Sequence, residues 1–345
     1  MTKISRVLAS FVAAISLPSL AAAQAFPAVG TRAAGMGGAF VGVADDASAI
    51  YWNPGALAAG SYFSLVVDGG AGKVAPDLSP RGGEHSSFFL GLAMPALGLG
   101  YYRLHATTVL GPPILVPVDA ELSSRNLSAV AELRLDTLIT HHAGITLVQS
   151  VVPGVSVGTT LKLVRGIAAS SNLPSASVEE ALDSEAAELL GRATNKIDLD
   201  LGILAAGGPL RVGLTLRNLR EPTFEAAGSG GDLRLERQAR AGLSYAIGGD
   251  WVAAADFDLL RTRDAFGERR DVALGTEGRL GPRAVVRGGV SINTVEEPEL
   301  DGAARRAYSL GASYAVKASV YVDGHFATGN DRAGHQWGVA ARFVY

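Results

Sequence analysis

The sequence predicts an all-β fold: a transmembrane up-and-down antiparallel β-barrel of about 14 strands with a short N-terminal helical hatch or plug. Three observations carry that expectation. Apolar residues recur at every second position along most of the chain, the connections alternate between short and long, and the composition is greasy for a chain without long apolar runs. Of 345 residues, 48% are hydrophobic and only 18% charged, with 43 glycines and no cysteine. The lack of cysteine removes disulfides, thiol catalysis and thiolate metal sites. With 30 basic against 33 acidic side chains, there is no footprint of a nucleic-acid binder.

Residues 1–23 read as a secretory signal peptide. Lys3 and Arg6 form a basic start, Val7 to Leu17 an apolar stretch, and Pro18 leads to Ala21-Ala22-Ala23, with cleavage before Gln24. Residues 24–60 do not alternate. Asp46 is a plausible N-cap for a helical turn Ala47 to Trp52, which Pro54 stops, and the glycines permit tight turns. A compact block ahead of the first strand has one economical place to sit, inside the lumen.

Residues 61–345 form the barrel. In Ile197, Leu199, Leu201 and Ile203 the apolar set interleaves with Lys196, Asp198, Asp200 and Gly202. Trp251 to Leu259, Tyr308 to Val316 and Trp337 to Tyr345 repeat the pattern. A secreted β-sandwich would alternate in the same way. The connections argue for the barrel: Pro95, Pro153, Gly207-Gly208, Gly248-Gly249, Leu280-Gly281 and Lys317 are short, whereas 69–84, 107–137, 169–194, 220–235, 262–268, 294–305 and 328–334 are long. An even strand count and strands near ten residues agree with tilted crossings of a bilayer. In the loop 169–194, Ser177 with Glu180 reads as a capping box opening a helix to about Leu190, either a brace or a lid. Val109 to Val118, with Pro112-Pro113, is apolar for a loop, either a landing surface or loop packed on loop.

Catalytic patterns fail on context. Gly154-Val155-Ser156-Val157-Gly158 matches a nucleophile elbow, but strand residues follow it rather than a helix. His141 and His142 point to opposite faces, a poor geometry for one metal. No catalytic, metal or cofactor site is expected. Asp198 with Asp200 and Asp256 with Asp258 share the lumen face with Arg211, Arg217, Arg287 and Arg342, so a mixed-charge ladder is expected there.

The run Gly30-Thr31-Arg32-Ala33-Ala34-Gly35-Met36-Gly37-Gly38-Ala39-Phe40, followed by Ala44-Asp45-Asp46-Ala47-Ser48-Ala49 and Tyr51-Trp52-Asn53-Pro54, closely resembles the N-terminal signature of the FadL/TodX family of outer-membrane transport proteins and of wider relatives such as PorV-like barrels. Gly55 stands where the family's Asn-Pro-Ala element has alanine, and the likeness is sharp only over Gly30 to Leu57. It implies a fourteen-strand barrel closed by a hatch, in the outer membrane of a Gram-negative-type bacterium. It also implies passive uptake of hydrophobic small molecules such as long-chain fatty acids or aromatic hydrocarbons; the alternative is a PorV-like docking component for secreted proteins. Arg32 is expected to pair with Asp45 and Asp46. The expected partners are outer-membrane lipid, a hydrophobic ligand and, through a last strand ending at Tyr345, the barrel-assembly machinery.

Overall fold

The computed structural model describes residues 29–74, 81–110, 132–174, 192–228, 232–264, 267–295, 305–329 and 334–345. Fourteen strands form the wall: β1 (Ser64–Val74), β2 (Arg81–Met94), β3 (Leu97–Leu110), β4 (Glu132–Val152), β5 (Val155–Pro174), β6 (Thr194–Gly207), β7 (Leu210–Arg217), β11 (Gln238–Ile247), β12 (Trp251–Asp258), β15 (Asp271–Leu280), β16 (Ala284–Asn293), β17 (Arg306–Lys317), β18 (Val320–Gly329) and β19 (Gly334–Val344). Each pairs antiparallel with its chain neighbours. The ring closes where β1 meets β19, from Ser64 opposite Val344 to Val74 opposite Gly334. Five short strands lie in the long connections: β8 (Thr223–Phe224), β9 (Ala226–Gly228), β10 (Leu233–Arg234), β13 (Thr262–Asp264) and β14 (Gly267–Arg269).

The two faces of the wall are inverted relative to a water-soluble protein. Tyr308, Leu310, Tyr314 and Val316 of β17 are all more than half exposed, while Ser309 and Ser313 between them are buried. Asp198, Asp200, Asp256, Lys162, Arg287 and Asp323 are buried on the inner face. Greasy side chains outside and charge inside are what a barrel in lipid requires, because unpaired charge is costly against hydrocarbon. From Tyr308 to Val316 the band spans eight residues; at ~3.3 Å each and a tilt near 40° it is about 20 Å tall. Aromatic side chains edge it: Tyr245, Trp251, Tyr314 and Phe343 toward the tight-turn rim, and Phe257, Tyr308, Phe326 and Trp337 toward the long-loop rim. Among the described residues no helix is long and apolar enough to cross a membrane.

All fourteen expected strands are present, but several run further than the alternation indicates. The expected loop 69–84 is mostly strand: Gly69 to Val74 pair on both sides, with β19 and β2. Four of those residues are Gly69, Gly70, Ala71 and Gly72, which have weak intrinsic strand preference, and tertiary pairing overrides it. Gly72 also needs its lack of Cβ, which would lie 2.6 Å from the His85 ring. Within the expected loop 107–137, residues 107–110 and 132–137 are likewise strand, as are residues 169–174 of the expected loop 169–194. Strands β4 and β5 therefore reach 21 and 20 residues, about twice what a tilted crossing needs. Above Gly166, the last residue that β6 pairs, the edge of β5 is covered by β9 in parallel, a departure from purely antiparallel order. Phe224 of the same connection packs on Gly166 in a small apolar cluster with Leu138, Val164, Leu233 and Leu235. The expected signal peptide, the core of the Val109 to Val118 segment and the helix expected from Ser177 to about Leu190 lie outside the described residues.

Leu310 lies in the outward band, one outward position in from Tyr308 at its long-loop edge, so Leu310→Arg is expected to destabilise the folded barrel by about 1–3 kcal/mol. Urea unfolding in lipid vesicles measures this; an unchanged midpoint would mean that water, not lipid, meets this face.

Candidate functional site

Residues 29–60 are enclosed by the wall. Gly30, at φ +98°, enters a one-turn helix Thr31–Gly35; turns follow to a second helix, Ala49–Trp52, and then a 3-10 helix, Pro54–Ala59. Asp46 does not cap the helix directly, as the sequence suggested. The helix starts at Ala49, and the Asp46 carboxylate accepts from the Ser48 amide (2.9 Å) and hydroxyl (2.5 Å), forming the preceding turn. Pro54 ends that helix and opens the next one, where its missing N–H costs nothing.

The segment meets the wall where the wall has no side chain. A Cβ on Gly289 of β16 would lie 2.1 Å from the Met36 carbonyl carbon, and one on Gly202 of β6 would lie 2.7 Å from the Pro54 backbone nitrogen. Backbone therefore lies on backbone, which only glycine permits. Polar contacts anchor it around the ring. Ser309, Ser244 and Ser156 donate to the carbonyls of Gly35 (3.2 Å), Gly42 (2.8 Å) and Gly55 (2.7 Å). Asp68 accepts from the Thr31 amide (2.6 Å), and Asp256 accepts from both the Phe40 and Val41 amides (2.9 Å each). Asn53 donates to Val41 and to Ile203 of β6 (3.0 Å each) while accepting from Gly55 (3.1 Å).

A buried charge cluster centres on Arg32. Its guanidinium contacts Asp45 (2.5 Å), Asp46 (3.0 Å) and Glu277 of β15 (2.7 Å). Glu277 in turn binds Arg287 (2.6 Å), which reaches Asp323 (3.5 Å), and Arg342 joins Asp323 (3.2 Å) to Asp46 (4.0 Å). Burial alone would raise the Asp46 carboxyl, but Arg32, Arg342 and the Ser48 hydrogen bonds outweigh it and hold the group below its ordinary value of 3.8. Burial works against the Arg32 guanidinium too, but Asp45, Glu277 and Asp46 outweigh it and hold Arg32 firmly charged.

The remaining expected lumen charges divide into smaller sets. Asp198 and Asp200 hold the fully buried Lys162 (3.2 and 2.8 Å) and accept from the Arg220 and Asn218 amides. Asp258 pairs with Arg240 (2.6 Å), whose guanidinium also reaches the Gly38 carbonyl (3.3 Å). Arg217 lies 3.4 Å from the centre of the Tyr51 ring. Arg211 faces inward near the tight-turn rim and forms no ion pair among the described residues. Gly37 (φ +66°) and Gly38 make the turn after the first helix. Lys162, Glu277, Asp323 and Asp68 were not singled out from the sequence. The signal was present, since each occupies an inward phase of its strand's alternation.

Above the segment, on the long-loop side, lies a cavity of about 190 Å³. Its floor is Tyr51 and Trp52, and its walls include Arg217, Arg240 with Asp258, and Arg269 with Asp271. Among the described residues no group of histidines and carboxylates is arranged to hold a metal ion.

Residues 123–258 match the family model described as F plasmid transfer operon, TraF, protein, which covers less than half of the chain. No curated protein sequence matches. Solved structures share the fold. The CymD monoaromatic hydrocarbon channel is 16% identical, with 93% of this chain and 99% of that one covered and a TM-score of 0.61. A Pseudomonas aeruginosa FadL homologue is 11% identical (92% and 98% covered, TM-score 0.60), and the Pseudomonas putida toluene transporter TodX is 12% identical (95% and 99% covered, TM-score 0.58). The chain thus has the FadL-like barrel fold that its N-terminal run resembles.

Arg32→Ala would leave Asp46 and Glu277 buried without their guanidinium, weakening the segment's anchorage by about 3–5 kcal/mol. The expected result is a barrel that still folds, with amide exchange of residues 31–57 faster by roughly two orders of magnitude or more; unchanged protection would refute the anchoring role. For pH the sign follows from Asp46. Its folded value is depressed, so its contribution is complete above 3.8 and is lost as pH falls below that. Exchange protection at Ser48 should accordingly hold from neutral pH down to about 4 and fall beneath it.

Proposed function

We propose that this chain is an outer-membrane barrel for the passive uptake of hydrophobic small molecules, with residues 29–60 as its plug. The observation that carries the reading is a segment packed backbone to backbone against the wall, below a cavity floored by aromatic rings. A lumen filled by such a segment suits a solute that partitions out of water rather than an ion. The named activities of the CymD and TodX channels support the same reading.

Cavity size favours one-ring compounds over long acyl chains: a cavity of about 150 Å³ is enough for benzene, and this one is about 190 Å³. Tyr51 and Trp52 supply ring faces, and the neighbouring guanidinium groups, two of them neutralised by Asp258 and Asp271, offer cation–π contact to an aromatic guest. Neither ATP nor a cofactor enters the scheme. The terminal strand, ending Phe343-Val344-Tyr345, is the element that the assembly machinery would recognise.

Cells making the protein should accumulate labelled toluene faster than control cells, without ion conductance in planar bilayers. Trp52→Ala should slow uptake by roughly threefold to tenfold, the value of one aromatic contact. Uptake equal to the control, together with co-purification of a secreted partner, would favour the docking reading instead.

A further inference from the structure

On the outer face of the wall, the apolar band ends differently on its two sides. Along β12, β17, β18 and β19 its long-loop edge carries aromatic rings, but along β3 and β5 it carries arginines, with a histidine between them on β4. Arg103 is registered opposite His141, and His141 opposite Arg165. The row immediately below is apolar or aromatic: Tyr101, Ala143 and Leu163 are likewise mutual neighbours. Counting from the tight-turn rim, each of these three residues is the first basic side chain that its strand points outward. Arg165 is exposed; Arg103 and His141 are half-buried.

Arg103 and Arg165 are like charges in one row, on either side of His141. Yet among the described residues neither Arg103 nor Arg165 has a carboxylate within ion-pair distance. The row is also held in place. The Tyr101 hydroxyl lies 2.7 Å from His141 Nδ1, with the two rings 6.2 Å apart. Strands are spaced ~4.8 Å, so the two guanidinium stems stand about 10 Å apart with the imidazole between them. That is a cationic cradle directly above hydrocarbon.

We propose that Arg103, His141 and Arg165 bind the phosphate of a membrane lipid in the leaflet on the long-loop side, with the lipid's acyl chains lying on the apolar row beneath. Arginine is suited to this, because its planar fork matches phosphate and its stem can lie along apolar surface while the head stays at the interface. Continuity with the lipid-facing band argues for a lipid rather than free phosphate. The inference rests on the outer-membrane reading above.

The test uses the folded, detergent-purified barrel and native mass spectrometry after exposure to phosphatidylcholine vesicles with or without lipid A. Lipid A should be retained by the parent protein. The double variant Arg103→Gln/Arg165→Gln should lose retention by about 30-fold, from roughly fivefold for each basic side chain beside an anionic lipid surface. Equal retention by parent and double variant, equal retention of dephosphorylated lipid A, or complete displacement by equimolar inorganic phosphate would each overturn the proposal. Failure of the underlying reading looks different: the chain would show no heat-modifiable folded form and would stay dissolved without detergent.

Discussion

The structure depends on one constraint: every backbone N–H and C=O that faces hydrocarbon must find a partner within the protein. The pairing of β1 with β19 meets it by joining the two ends of the sheet, so no edge strand is left. Once closed, the wall has an inside. Residues that would be errors in a water-soluble core, such as the fully buried Lys162, Asp198 and Asp200, become permissible because they pair with one another on the lumen face of neighbouring strands instead of facing lipid. Closure thus determines both which side of each strand is greasy and where charge is allowed.

Within that lumen, the N-terminal segment and the wall are complementary in two ways. Shape complementarity comes from glycines such as Gly289 and Gly202, which remove the layer of side chains that would hold the segment away. Electrostatic complementarity comes from Arg32, which is the cation for two carboxylates of its own segment and for Glu277 of the wall. A buried ion cluster of this sort is poor evidence for net stability, since desolvation offsets much of the attraction. It is strong evidence for register: the cluster is satisfied only when the segment sits in one orientation.

The fold was legible because alternation and connection length both register the two solvents, lipid and lumen, that a barrel strand meets. Tyr308 to Val316 shows this plainly. What stayed hidden was decided by pairing rather than by local preference. Gly69 to Gly72 look like a turn and are strand because β2 and β19 flank them. Strands β4 and β5 outrun the membrane, where alternation gives way to burial on both faces around Leu135 and Leu138. In the site, Arg32 with Asp45 and Asp46 could be read from sequence proximity, while Glu277, some 245 positions away, could be found only through strand phase.

The segment 29–60 precedes every strand in the chain, yet its contacts extend from Asp68 on β1 to Arg342 on β19. Its seat is therefore incomplete until the final strand arrives. Its burial is a reward that only the finished ring can collect, coupling zippering of the seam to capture of the chain's own beginning. A barrel truncated at its C-terminus would lose one strand and, with it, the reason for the first thirty folded residues to stay inside.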